Sequence, residues 1–488
     1  MLKLTYSRGD YKMYVLPAGT EMTTEILENF IKEHKQEVSI RLEPLKKLYE
    51  GKHKILEKEK KAQYKPDNRI VVNFAKYIVD TFNGFFIGIP IKISHENDNV
   101  NSYLEMLDAY NNQDDNNAEL SKMMSIYGKG YELLFMDEEA QVGITYVSPL
   151  TAFVIYDDSI VRRPMFGVRY YLNSEGKLEG SYSDKEGIHY FNDEYKIIEE
   201  YAHPFGDVPL IEYKENEEEL GTFETVATMI DAYDKAISEK ANDVDYYADA
   251  YLKILGAKLD EETLQALRDN RIINISGKET EKVIVDFLQK PDSDATQEHL
   301  IDRLEKKIFE TSMVANINDE NFGNSSGIAL SYKLQSMNNL AKTKERKFIA
   351  GMNKRYKMIA NVPTSKMGAD DWLKLKFKFT RNMPKNILEE AQIAQQLSGI
   401  TSEETQLSVL SIVDSPKDEL EAKNAESMAE MMTRTPETKQ ASMYEITSIL
   451  GQRKRGSLTY NNALKMLIKI GVDEEEAANL LNDTDVIE

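Results

Sequence analysis

Apolar residues recur every three or four positions over several long stretches and cluster in short runs between them, so the chain reads as long helices framing a strand-rich section. Residues 23–49 place Ile26, Leu27, Phe30, Ile31 and Val38 on one helical face. Thr23 or Thr24 can cap this helix, and Pro44 should bend or divide it. A helix is expected over roughly 70–83 and a strand near Phe85–Ile93, with Gly84, Gly88 and Pro90 as punctuation. The Asn- and Asp-rich stretch 98–117 suggests a helix at Ser102–Tyr110 followed by a polar loop. Residues 131–213 carry Tyr, Val and Ile in short runs between turn signals, which predicts strands. Val226, Ile230, Tyr233, Ile237, Ala241, Val244 and Ala248 then line a helix over 222–248, roughly 40 Å long at 1.5 Å per residue. A compact mixed unit follows, with strands at Tyr251–Leu255, Ile272–Ile275 and Lys282–Phe287 and a helix at Glu261–Asn270. A second long helix, capped near Ser293 or Asp294, carries Leu300, Ile301, Leu304 and Ile308. The Asn-, Gly- and Ser-rich run 316–327 cannot continue a helix cheaply. A third helix resumes near Ile328 and runs to about Ile359, lined by Leu330, Leu334, Met337, Ala341, Phe348, Met352 and Tyr356. Leu373, Leu375, Phe377 and Phe379 alternate with Lys374, Lys376 and Lys378 as in a strand with one buried face. The remainder is helical and acidic, with short helices at Ser457–Ile470 and Asp473–Leu481.

The 488 residues are enough for about three domains and a sizeable core. No apolar run approaches the roughly 18–20 residues that span a bilayer, so no membrane partner is expected, and the first residues do not form a signal-peptide pattern. There is no cysteine, and the net charge is −22. A chain of that sign should not clamp phosphates over its whole surface. Against this background the helix at 328–360 stands out. It holds eight bases (Lys333, Lys342, Lys344, Arg346, Lys347, Lys354, Arg355 and Lys357) and one acid, Glu345. These bases are candidates for weak, sequence-independent contact with a polyanion. A solvated face, or pairing with acids, is the plainer alternative.

Chemistry that would mark an enzyme is missing. No phosphate-cradling Gly-x-x-x-x-Gly-Lys-Ser/Thr occurs. The six histidines, at 34, 53, 95, 189, 203 and 299, form no close ligand pair. No catalytic residue, metal ligand or cofactor is expected.

Four groups of residues carry a resemblance. The first is Tyr49-Glu50-Gly51-Lys52-His53 with 68–80 (Asn68-Arg69-Ile70-Val71-Val72-Asn73 onward) and Gly84–Ile91. The second is Val208–Tyr213 with Gly221–Glu224 and Ile230-Asp231-Ala232-Tyr233-Asp234. The third is Asn318–Leu334. The fourth is Gly399–Thr405 with Val413-Asp414-Ser415-Pro416 and Glu419. In this order, over nearly 400 residues, they resemble the portal (head–tail connector) proteins of long-tailed double-stranded DNA bacteriophages. The resemblance implies an α+β portal fold: a wing from 1–221 with 361–383, stem helices at 222–248 and 294–315, a clip at 249–293, a tunnel loop at 316–327, the long basic helix at 328–360, and a crown with a C-terminal helical region at 384–488. It implies a homo-oligomeric ring, usually of twelve copies, at one capsid vertex of the virion, made in the host cytoplasm. DNA would pass through the ring during packaging and ejection. Terminase large subunit, head–tail adaptor, capsid and scaffolding proteins would be partners. Asn321, Phe322, Gly323, Asn324, Ser325, Ser326 and Gly327 would then face the DNA, with Lys333, Lys342, Lys344, Arg346 and Lys347 as candidates for backbone contact. Another virion ring or scaffolding protein, or an acidic α+β enzyme with an unrecognised site, are the alternatives.

Overall fold

The computed structural model describes all residues except 1–4, 9–10, 63–64, 249–251, 256–283, 288–293, 318–331, 384–386, 411, 414, 434–441 and 486–488. The chain divides into two units, Met1–Met383 and Pro384–Glu488, and the fold is α+β.

The first unit opens with strands β1 (Thr5–Arg8) and β2 (Tyr11–Leu16) and helix α1 (Thr24–Glu37). Thr23 caps α1 by accepting from Ile26 N at 3.2 Å. The expected break before Pro44 is a π-helical turn at Val38–Leu42, after which α2 (Glu43–Tyr49) starts with the proline in its first turn. Helix α3 (Phe74–Ile87) runs through the segment expected to begin a strand; only β3 (Lys92–Ser94) is extended. The reason lies in its burial. Phe74, Ala75, Ile78, Val79, Phe82, Phe85, Phe86 and Ile87 are all enclosed while Lys76 and Asp80 stay exposed, and the short continuous apolar run at Phe85–Ile87 cannot be told from a buried strand by its period.

The Asn-rich stretch also departs from expectation. It forms two helices, α4 (Asp98–Asn111) and α5 (Gln113–Tyr127), joined by Asn112 alone. Asn112 takes a left-handed φ of 48°, a conformation asparagine tolerates better than most residues. The neighbouring amides are structural. Asn111 accepts from Ile144 N at 2.7 Å and donates to Val142 O at 3.0 Å, while Asn116 donates to Ile144 O at 2.9 Å.

The strand-rich section is as expected: β4 (Lys129–Met136), β5 (Val142–Val147), β6 (Ala152–Asp157), β7 (Pro164–Leu172), β8 (Leu178–Ser183), β9 (Gly187–Phe191), β10 (Ile197–Ala202) and β11 (Leu210–Lys214). Seven strands form one sheet in the order β1-β2-β6-β7-β8-β9-β10, and a second sheet is ordered β11-β4-β5. Within the large sheet only β2 and β6 pair in parallel, with Tyr14 opposite Ile155. Leu27, Phe30 and Ile31 of α1 cluster with Phe153, Ile155, Phe166 and Val168 of the sheet.

Next come α6 (Ala227–Ala248), β12 (Leu252–Leu255), β13 (Ile284–Phe287) and α7 (Asp294–Ser312). Strands β12 and β13 pair antiparallel. The expected helix at 261–270 and strand at 272–275 lie outside the described residues. Helices α6 and α7 pack together, with Gln297 donating to Asp243 at 2.9 Å and Lys240 paired with Glu298. Helix α8 (Gln335–Ala360) follows. The strand expected over 372–379 shortens to β14 (Lys376–Lys378), because its partner β3 offers only three residues. The preceding Asp371–Lys374 is a 3-10 turn that leaves Leu373 in solvent. The main core joins α2–α8 to the β11-β4-β5 sheet.

The second unit holds α9 (Ile387–Gln396), α10 (Glu403–Val409), α11 (Pro416–Thr433), α12 (Met443–Lys454), α13 (Tyr460–Lys469) and α14 (Glu474–Asp485). The last three surround their own small core of Ile449, Leu458, Ala463, Met466, Leu467, Val472, Ala477 and Leu481. Ser442 and Glu445 start α12 with a reciprocal capping box.

Candidate functional site

Helix α8 concentrates cations with a single acid among them, and its geometry sorts them. The buried positions are Met337, Ala341, Lys344, Phe348, Gly351, Met352, Arg355, Tyr356, Met358 and Ile359. This is a single stripe at three- and four-residue spacing. Gly351 lies where a Cβ would come within 2.3 Å of the Tyr213 ring, so the helix presses directly on β11.

Two of the eight bases lie within that stripe. Arg355 is fully buried and grips Glu132 of β4 with a two-pronged ion pair, Nε–Oε2 being 2.8 Å. Its Nη2 also donates to Asn117 Oδ1 of α5 at 2.7 Å, and Tyr213 Oη donates to Glu132 at 3.0 Å. Burial works against the charge on Arg355, and the Glu132 carboxylate beside it more than offsets this. Lys344, equally buried, stands 2.8 Å from Glu215 and donates to Ser121 O at 2.9 Å and Ser125 Oγ at 2.7 Å. The Phe82 and Phe86 ring centres lie 5.2 Å from its ammonium. Desolvation lowers the Lys344 pKa and raises that of Glu215, each opposed by the partner. So placed, Lys344 holds α8 to α5 and cannot reach a phosphate.

Asp108 of α4 also feels the buried guanidinium. Burial pushes its carboxyl up to about 6, against the pull of Arg355 and with a push from Asp114.

The other side of the helix is different. Lys342, Arg346, Lys354 and Lys357 are exposed, and Lys347 is half-buried and paired with Glu217. At 100° per residue these five fall within an arc of roughly 140°, and Lys342 to Lys357 spans roughly 22 Å. No acid shares that arc. Glu345, the helix's one carboxylate, sits off it and is paired with Arg381. Arg346 is steadied by donating to Lys342 O at 3.2 Å, and the Lys357 ammonium lies 5.9 Å from the Trp372 ring centre. Lys333, just ahead of α8, is exposed too. Asn321, Phe322, Gly323, Asn324, Ser325, Ser326 and Gly327 lie outside the described residues.

The sequence pattern lumped all eight bases together. The signal that separates them was present: Lys344 falls between Ala341 and Phe348, and Arg355 between Met352 and Ile359, both on the apolar stripe. Among the described residues no cluster of His, Asp and Glu could hold a metal ion, and no helix is long and apolar enough to cross a membrane.

Residues 28–432 match the family model described as phage portal protein, SPP1 Gp6-like. The chain belongs to this portal family. Two relatives, each called a portal protein, are 25% identical to it. That of Clostridium phage phiCD119 aligns over 367 residues, covering 68% of this chain and 79% of its own length. That of Bacillus phage SPP1 aligns over 386 residues, covering 73% and 75%. Among solved structures, a chain in the neck of an empty gene transfer agent particle computed with C6 symmetry covers 69% of this portal chain and 89% of its own. Its TM-score is 0.41 at 11% identity. A portal protein is a structural part of the phage virion. The family match takes in α8 with both of its faces and ends before the α12–α14 bundle.

Proposed function

We propose that this portal protein assembles into a closed ring of twelve copies at one capsid vertex and that duplex DNA passes through the bore during packaging and ejection. The family match over residues 28–432 carries this reading. Residues 1–221 with 361–383 form the wing, α6 and α7 belong to the stem, 249–293 to the clip, and 384–488 to the crown and C-terminal region. The clip takes the terminase large subunit and later the head–tail adaptor, and capsid and scaffolding proteins meet the outside of the ring. The protein acts as a passive conduit without catalysis of its own, made in the host cytoplasm and retained in the virion.

A conduit must not hold its cargo. A net charge of −22 per copy repels phosphates, and beyond about 8 Å salt screens that field at physiological strength. Local cations therefore decide contact. On α8 these are Lys342, Arg346, Lys354 and Lys357, with Lys333 ahead of them and Lys347 shared with Glu217. They touch passing phosphates without reading sequence. We assign to loop 316–327, which includes the candidates Asn321–Gly327, contact with the same DNA.

Electron microscopy of the purified full chain tests the ring. Closed rings with a central opening wide enough for duplex DNA are expected. A particle that stays a compact monomer under every assembly condition overturns the proposal.

A further inference from the structure

Two apolar residues stand out in solvent at the tip of the β6–β7 hairpin. Ile160 is fully exposed and Val161 is 70% exposed. Their loop is nevertheless tightly held. Asp157 Oδ1 accepts from Ser159 N at 3.2 Å, from Ser159 Oγ at 2.6 Å and from Arg163 N at 2.9 Å, and Arg162 Nη1 donates to Asp157 O at 3.2 Å. Asp158 accepts from Ala18 N at 3.1 Å, which ties the loop to the chain just past β2. Arg162 takes a left-handed φ of 55°, a conformation that costs energy for a residue with a Cβ and persists where the surroundings enforce it. Scattered apolar residues on a surface need no explanation. A rigid, strained turn that holds two of them out side by side does.

A groove of about 350 Å³ lies at the other end of the same strands. Val38, Leu150, Tyr170, Tyr171, Leu172 and Leu178 line it, and Tyr171 and Leu172 are exposed. The strand register puts Tyr156 opposite Pro164 beside the knob, and Ala152 opposite Arg169 toward the groove. The length of β7 therefore separates the two, and its eight steps from Pro164 to Leu172 cover roughly 27 Å. One chain cannot bring them together without breaking the sheet. Two copies can, and the contact is then heterologous, because each copy supplies a different patch. Such a contact leaves a free groove on one copy and a free knob on the other, so it propagates, and it closes into a ring where the rotation per step allows.

The charges beside the two patches agree with this pairing. Arg163 is exposed at the base of the knob, and Glu43 is exposed on the groove wall. Lys35, on the same wall, lies over the Tyr170 ring at 5.7 Å from its centre. Two side chains bury far less than the roughly 1,200 Å² of a stable specific interface. The contact is therefore too small to capture a separate partner by itself and suits a site that works beside further contacts between the same two copies. We propose that the Ile160–Val161 knob of one copy docks, head to tail, in the groove at Tyr171 and Leu172 of a second copy of this chain. The proposal rests on the ring reading and deepens it, naming which surfaces of neighbouring copies meet and in which direction.

The chain contains no cysteine, so introduced cysteines report this contact without background. Val161→Cys keeps Ile160 in place, and Ser39→Cys puts a thiol on the exposed groove wall. The two are combined in the full-length protein, which is assembled, treated with a short bis-maleimide and run on a denaturing gel. The double variant should give a ladder of dimers, trimers and higher multiples, and neither single variant should. Adding Ile160→Asp should weaken the ladder on the order of tenfold, because a carboxylate resists transfer into an apolar groove. The urea midpoint should stay unchanged, since Ile160 is fully exposed within its own chain. Closed rings in micrographs without a ladder overturn this contact and leave the ring reading standing. A ladder without closed rings does the reverse, and the absence of both overturns both. A ladder that stops at dimers, or one that Ile160→Asp leaves intact, also overturns the proposal.

Discussion

The two sides of α8 carry cations of the same formal charge in opposite circumstances. On the inner side, Lys344 and Arg355 have given up solvent for Glu215 and Glu132, and donate further bonds to a neighbouring hydroxyl, carbonyl and amide oxygen. On the outer side, Lys342, Arg346, Lys354 and Lys357 remain exposed. The difference teaches that charge count along a helix says little about binding until burial has divided it. A buried ion pair fixes how the helix sits on β4, β11 and α5. An exposed, acid-free row leaves the charge free for something outside the subunit.

The largest expected effect belongs to the inner side. Arg355→Met leaves Glu132 buried without its cation, and breaking such a pair typically costs about 3–5 kcal/mol. Urea unfolding followed through Trp372, the single tryptophan, should show a midpoint well below that of the unsubstituted protein. Adding Glu132→Met should recover much of the loss, since an apolar pair of similar volume needs no compensation. An unchanged midpoint for Arg355→Met would mean that the inner cation is not held as described.

A smaller effect sharpens the same side through pH. The Asp108 carboxyl, raised to about 6, binds its proton more tightly folded than unfolded. Its contribution to stability is therefore most favourable below about pH 4, falls as pH rises through 6, and stays low above that. Asp108→Asn should remove this penalty. We expect a gain of about 1–2 kcal/mol at pH 8, below the full value of a two-unit shift because Asp108 is only part-buried, and no gain at pH 4. A gain that is equal at both pH values would assign the effect to packing and not to charge.

Most long helices were legible in the sequence because each has one apolar face at helical spacing, and β4–β11 were legible because turn signals bracket them. What stayed hidden has a common physical cause. Helix α3 ends in the continuous apolar run Phe85-Phe86-Ile87, where helix and strand periods look alike. Asn111, Asn112 and Asn116 look like loop residues, yet the amides of Asn111 and Asn116 bond strand β5 and Asn112 takes a left-handed turn. His53 and Asp234 bond each other from distant parts of the chain, and no local pattern joins them. Arg355 looked like surface charge because its partner, Glu132, comes from a strand more than 200 residues earlier. Long-range polar pairing is a property of the fold, whereas amphipathic periodicity is a property of the segment.

The smallest effect on stability should come from the outer side, and that smallness is what makes it decisive. Lys342→Glu, Arg346→Glu, Lys354→Glu and Lys357→Glu change exposed side chains, and such changes usually shift stability by no more than about 0.5 kcal/mol each. The urea midpoint of the fourfold variant should therefore stay near that of the unsubstituted protein while Arg355→Met falls far below it. Association with duplex DNA should respond in the reverse order. The fourfold variant should bind more weakly at low salt, and its dependence of log K on log salt should flatten by roughly 0.9 for each phosphate contact removed. Arg355→Met, measured where it remains folded, should leave that slope unchanged. If the fourfold variant keeps both its affinity and its salt slope, the outer row does not touch DNA. Its lack of acids would then have to be explained by a neighbouring surface that supplies them.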